Sequence, residues 1–216
     1  MWSSRSRSSK DQKSIVRPRN IAKSVISIEQ EAISDLGKRL SDDFPNAVEL
    51  ILSSEGRVIV TGVGKSANIA NKIVATLNST GQPAVFLHAA DALHGDLGNI
   101  QNNDVVICIS KSGNTEEIKS FIPLVKNLGN KVISICGNKD SYLVRESDLF
   151  LDSTVAKEAC PNNLAPTSST TAQLVLGDAL SVSLLELRNF SDFDFARFHP
   201  GGSLGKRLYL KPGITE

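Results

Sequence analysis

Four short, almost wholly apolar runs constrain this chain more than any other feature. They are "RVIVTG" (57–62), "AVFLH" (84–88), "DVVICIS" (104–110) and "KVISIC" (131–136). Each is rich in β-branched residues and lacks the in/out alternation of a strand with one wet face. Between them lie stretches with apolar residues at helical spacing, "SANIANKIVATLNSTG" (66–81) and residues 115 to 128. Apolar strands alternating with helices predict the α/β class, here a three-layer αβα sandwich on a five-stranded parallel sheet. "LFLD" (149–152) supplies the fifth strand, at an edge. Residues 21–53, with Ile21, Val25, Ile28 and Ile33 at helical spacing, predict two helices broken by "DDFPN" (42–46). Residues 169–189 predict a long apolar helix buried on more than one face. The expected organisation is one domain, 21–208, with tails at 1–20 and 209–216.

A chain of 216 residues is long enough to enclose a sizeable core. Its formal net charge of +1 gives no global field for nucleic acid, and no apolar run reaches a membrane span, so neither partner is expected. The start, "MWSSRSRSSKDQKSIVRPRN", is basic, with Asp11 as its single acid. It reads as a disordered or tag-like tail, with an organellar transit segment as the alternative. The three cysteines, Cys108, Cys136 and Cys160, form no C-x-x-C pair, and the first two sit in strand-like runs. This usage argues against a disulfide framework and fits a reducing compartment.

In a parallel sheet, ligands bind beyond the carboxyl ends of the strands. Three segments fall there. "TGVGKSA" (61–67) has Lys65 beside glycine amides but matches neither phosphate-loop pattern for nucleotides; Ser66 there has the plain reading of a helix cap. "ISKSGNTEEI" (109–118) places Ser110, Ser112, Gly113 and Thr115 before a helix, an anion cradle, with Glu116 and Glu117 in the first turn. Those two acids also suit the helix dipole alone. "AKEACPNNLAPTSSTTAQ" (156–173) holds Glu158 upstream of Thr167, Ser168, Ser169, Thr170 and Thr171 at a second hydroxyl-rich helix start. His88 and His94, with Asp91 and Asp96, have no metal-motif spacing, and His199 lies in the glycine-rich "HPGGSLG" (199–205). Two phosphate cradles, a lysine, and isolated Glu and His residues suit a small phosphorylated metabolite and proton transfer. No metal and no cofactor are expected.

Taken together, "GVGKS", "STG.P..F.H..DALHGDLG", "ISKSGNTEEI", "AKEACPNNLAPTSSTTAQLVLGDAL" and "F...HPGGSLGKRL" resemble the D-arabinose 5-phosphate isomerases, of the sugar isomerase (SIS) fold. The resemblance runs from about residue 55 to residue 208. It differs at Asn114, where many members carry Glu; a single-domain form, without the pair of CBS domains into which many members continue, is expected, with truncation before such domains as the alternative. It implies interconversion of D-ribulose 5-phosphate and D-arabinose 5-phosphate through a cis-enediol, supplying Kdo for lipopolysaccharide or capsule. It also implies a catalytic set of Lys65, Glu117, Glu158 and His199. Glu158 is expected as the carbon acid/base, Lys65 as the electrophile, His199 as the hydroxyl proton shuttle and Glu117 in support, with the two glutamates exchangeable. Ser66, His88, His94, Ser110, Ser112, Gly113, Thr115, Thr167, Ser168, Ser169 and Thr170 are expected to bind the phosphosugar. A homotetramer with sites at subunit interfaces is expected. The alternatives are a non-catalytic SIS module that senses a sugar phosphate, and an isomerase of another phosphosugar.

Overall fold

The computed structural model describes residues 9–201, with side chains described from residue 17 onward. Five parallel strands form one sheet: β1 (Val58–Gly62), β2 (Ala84–His88), β3 (Val105–Ser110), β4 (Lys131–Cys136) and β5 (Leu149–Asp152). Their order is β2-β1-β3-β4-β5. Val58 stands beside Ala84 on one side and Val105 on the other, and Ile107 stands beside Ile133. The chain winds outward from β1 in one direction, then returns to place β3 on the other side. That reversal leaves a crevice between the carboxyl ends of β1 and β3.

Side chains alternate across the sheet and build two cores. Val60, Ile107, Ile109, Ile133 and Ile135 face one layer. That layer holds α1 (Ser9–Lys38), α2 (Asp43–Ser53), α3 (Lys65–Ser79) and α7 (Ser168–Leu187). Ile59, Val106, Cys108 and Val132 face the other. It holds α4 (Ala89–Ala92), α5 (Glu116–Asn127) and α6 (Tyr142–Glu146). The central isoleucines are fully enclosed; each such side chain contributes roughly 1.5–3 kcal/mol. Burial on both faces explains why these strands read as unbroken apolar runs.

α3 and α7 cross closely because Gly177 has no side chain: a Cβ there would strike Ile73 of α3. This contact holds the start of α7 near that of α3. A further short helix, α8 (Asp192–Phe198), is closed by a capping box in which Ser191 and Asp194 bond reciprocally.

Two expectations change. The basic segment 1–20 is not a tail throughout, because α1 begins at Ser9; residues 10–13 are mostly good helix formers and Pro18 is accommodated within the helix. "DDFPN" does not break the helices at Pro45. The break falls at residues 39–42, and Pro45 sits in the first turn of α2, where a missing N–H costs nothing. The expected tail 209–216 lies outside the described residues.

Candidate active site

Three segments converge at the β1/β3 crevice. After β1 the chain turns at Gly64, whose φ of 60° is in the left-handed region, and enters α3 at Lys65. After β3, Ser110 Oγ accepts the Gly113 amide at 2.9 Å, folding the loop back on itself. Gly113 has φ 66°, and a Cβ there would strike Ser141, so this turn requires glycine. The third segment is the loop into α7.

Between them lies a cavity of about 270 Å³ lined by Val63, Lys65, Ser66, Ser110, Lys111, Ser112, Thr115, Pro166, Ser169, Thr170 and Gln173. The starts of α3, α5 and α7 all adjoin it, so the positive ends of three helix dipoles favour an anion there. A larger cavity, about 390 Å³, lies at the opposite ends of the strands, lined by Ser54, Asn103, Asn130 and Lys131 among others. It has no helix N-terminus of comparable length and none of the expected residues.

Most residues around the smaller cavity are polar, and some of their buried polar atoms are unsatisfied. Ser66 does not cap α3; it is buried and its hydroxyl donates to Gln173 Oε1 at 3.2 Å. The Nε2 of Gln173 and the Oγ1 of Thr115 are enclosed without a hydrogen-bond partner among the described residues. Buried donors are rarely left unpaired, so these atoms await a ligand or water.

Glu158 is nearly fully buried, yet it is not on the cavity wall. Its Oε2 accepts the Thr167 amide at 2.8 Å, the Thr167 hydroxyl at 3.1 Å and the Ser169 amide at 3.2 Å. Its Oε1 lies 2.7 Å from the Lys111 ammonium. Burial pushes the carboxyl up, but Lys111 and the donors of Ser169 and Thr167 outweigh it and hold it at about 2. A carboxylate so held is a weak base at neutral pH. In this arrangement Glu158 braces the start of α7 and Lys111.

The remaining expected residues divide. Of the catalytic four, Lys65 alone lines the cavity. Glu117 is half-buried in the first turn of α5, just beyond Thr115. His199 ends α8, stacked on Phe195 with ring centroids 3.9 Å apart, and its Nδ1 is 2.8 Å from the Phe195 carbonyl. Ser66, Ser110, Ser112, Thr115, Ser169 and Thr170 are on the wall, with Gly113 shaping it, whereas Thr167 and Ser168 lie behind it. His88 and His94 are not on it: His88 caps α4 by accepting the Ala90 amide, and His94 is exposed. Among the described residues no three His, Cys, Asp or Glu side chains cluster as a metal site. Lys111 and Gln173 were not singled out from sequence, because nothing in their spacing marks them.

Comparison with known proteins identifies the family. The SIS domain model matches residues 51–183. The chain is 53% identical over 190 residues to arabinose 5-phosphate isomerase KdsD of Pseudomonas aeruginosa, covering 88% of this chain and 58% of that protein. It is 49% identical over 195 residues to KdsD of Francisella tularensis, covering 89% and 60%. The chain thus spans about three fifths of the length of these curated relatives. Among solved structures, an Escherichia coli protein in complex with arabinose 5-phosphate superposes with a TM-score of 0.83 at 39% identity, covering 86% of this chain and 98% of that one.

Proposed function

The chain belongs to the SIS domain family, and on that premise we propose that it is an aldose–ketose isomerase interconverting D-ribulose 5-phosphate and D-arabinose 5-phosphate. One observation carries this reading: a hydroxyl-lined cavity at three helix N-termini with Lys65 at its rim, in a chain close to proteins named for that reaction. The phosphate sits against Ser110, Ser112, Thr115, Ser169 and Thr170, where hydroxyls and free amides compensate its charge. The sugar carbons then extend toward Lys65. A base removes a proton from one of C1 and C2 and returns it to the other through a cis-enediol, while Lys65 stabilises the oxygen on which charge develops. We assign the carbon proton to Glu117, the exchange with Glu158 that the sequence left open. His199 moves protons between the sugar oxygens.

His199 and Glu117 do not line the cavity of a single chain, so we assign the working enzyme to a homotetramer whose sites are completed by neighbouring copies. Exposed Ile21 and Ile26 on α1 and Val182 on α7 offer apolar surface for such contacts. No helix among the described residues is long and apolar enough to cross a membrane, and we place the enzyme in the cytoplasm, feeding Kdo synthesis.

The test is a substrate panel. The purified chain is incubated separately with ribulose 5-phosphate and with hexulose and heptulose phosphates, and the aldose products are separated. Arabinose 5-phosphate from the pentulose alone supports the reading. Turnover of a longer ketose in its place replaces the substrate, and binding without turnover favours a sensor module.

A further inference from the structure

Lys111 interrupts an otherwise hydroxyl-rich loop and occupies two environments at once. Its side chain is about half exposed, at 47%, and lines the cavity. Its ammonium is nevertheless 2.7 Å from Glu158 Oε1, on a side chain with no exposure. A lysine wanted only as a counter-ion for a buried acid has no need to line a cavity ringed by serine and threonine residues. A lysine free to swing into water has no need of a buried carboxylate behind it. Here the carboxylate fixes the ammonium at the wall, next to Ser110, Ser112 and Thr115. Across the cavity, the unpartnered Nε2 of buried Gln173 supplies an independent sign that this wall is built for an acceptor.

We propose that Lys111 is a phosphate-contacting residue of this cavity and that Glu158 is the buried carboxylate that positions it. The inference rests on the phosphosugar reading and deepens it by naming the cation that neutralises the dianion. Lys111 has three N–H donors. One faces Glu158, which leaves others for a phosphate oxygen. Glu158 then acts through Lys111 and through the Thr167 and Ser169 amides, holding both sides of the phosphate cradle in register. Gln173 Nε2 donates to the same ligand from α7.

Inorganic phosphate is the probe, because its binding needs no turnover. Calorimetric titration of wild-type protein is compared with Lys111→Met, Lys111→Arg and Lys111→Met/Glu158→Gln. Losing a charge-assisted bond weakens binding by about 10- to 100-fold. Lys111→Met is expected to lose affinity within that range, and Lys111→Arg to recover most of it. In turnover, KM rises for Lys111→Met with a smaller change in kcat. Lys111→Met leaves a buried carboxylate unpaired; if that variant unfolds, the double variant removes the charge and reads the same affinity. Wild-type phosphate affinity in either variant overturns the proposal and makes Lys111 a structural counter-ion. Absence of phosphate binding by the wild type also overturns it. Lys111-dependent phosphate binding by a chain that isomerises nothing upholds this inference and removes the isomerase reading.

Discussion

Glu158 faces Lys111 across 2.7 Å and, through its other oxygen, holds the amides of Thr167 and Ser169. One buried carboxylate thus ties the loop after β3 to the start of α7. The two sides of the cavity are coupled through a group that does not itself line it.

This tie has a pH signature. The folded pKa of Glu158, about 2, lies below its ordinary value of 4.5. As pH falls, the unfolded chain takes up the proton first, so the stabilisation is complete above about pH 4.5 and is lost toward pH 2. Asp104 behaves in the same sense: burial raises its carboxyl, but Arg57 and the amides of Gln101 and Arg57 outweigh that and lower it. We predict that Glu158→Gln is less stable at pH 7, by about 3 kcal/mol for a broken buried pair. It also shows a smaller further loss between pH 5 and pH 3 than wild type, with Asp104 retaining part of the acid limb. Urea denaturation across that range checks both. Equal acid losses in the two proteins would show that Glu158 is not held in its charged form.

The proposed sharing of sites between subunits makes a complementation experiment decisive. Lys65 is exposed at the start of α3, so Lys65→Met should fold normally and lose activity by about 10²-fold or more. His199→Ala is expected to be inactive for a separate reason. Co-expressed, the two variants should regain activity, because some mixed sites take Lys65 and His199 from intact copies. A mixture as inactive as its parts would place both residues in one subunit's site.

Thiol reactivity reports the fold independently. Burial pushes the Cys108 thiol far up, with Cys136 adding to it. Burial likewise raises Cys136 despite its contacts to Ser141 and Asn138. Cys160 is lowered by the amides of Ala165, Leu164 and Asn162 and is not buried. Iodoacetamide is therefore expected to modify Cys160 in the native protein, and Cys108 and Cys136 only after unfolding. Peptide mass mapping distinguishes the cases. Early labelling of Cys108 would contradict the buried central strand.

The strands were legible because burial on both faces leaves Thr61 and the terminal Ser110 as the only polar side chains in β1 and β3. The short helix α6 was not, because a few residues carry no helical period. α8 was missed although Ser191 and Asp194 spell a capping signature. In the site, the Ser and Thr clusters could be read because they sit together in sequence at helix starts. Lys111 and Gln173 could not be read, since their meaning is tertiary. Gln173 meets Ser66 across 107 positions, and Lys111 acquires its partner only when the α7 loop folds beneath it. Glu158 could be singled out as a lone carboxylate between two hydroxyl-rich helix starts, but the three donors and the ammonium around it are seen only in the folded chain.

The most direct test of the isomerase reading follows deuterium. The purified protein is incubated with D-ribulose 5-phosphate in D2O with excess EDTA and monitored by NMR. The account predicts arabinose 5-phosphate carrying deuterium at C2, formed by wild type and lost in Glu117→Gln. Failure of any aldose phosphate to appear from active-folded protein, or undiminished turnover by Glu117→Gln, would contradict the proposed reaction in the first case and the assigned base in the second.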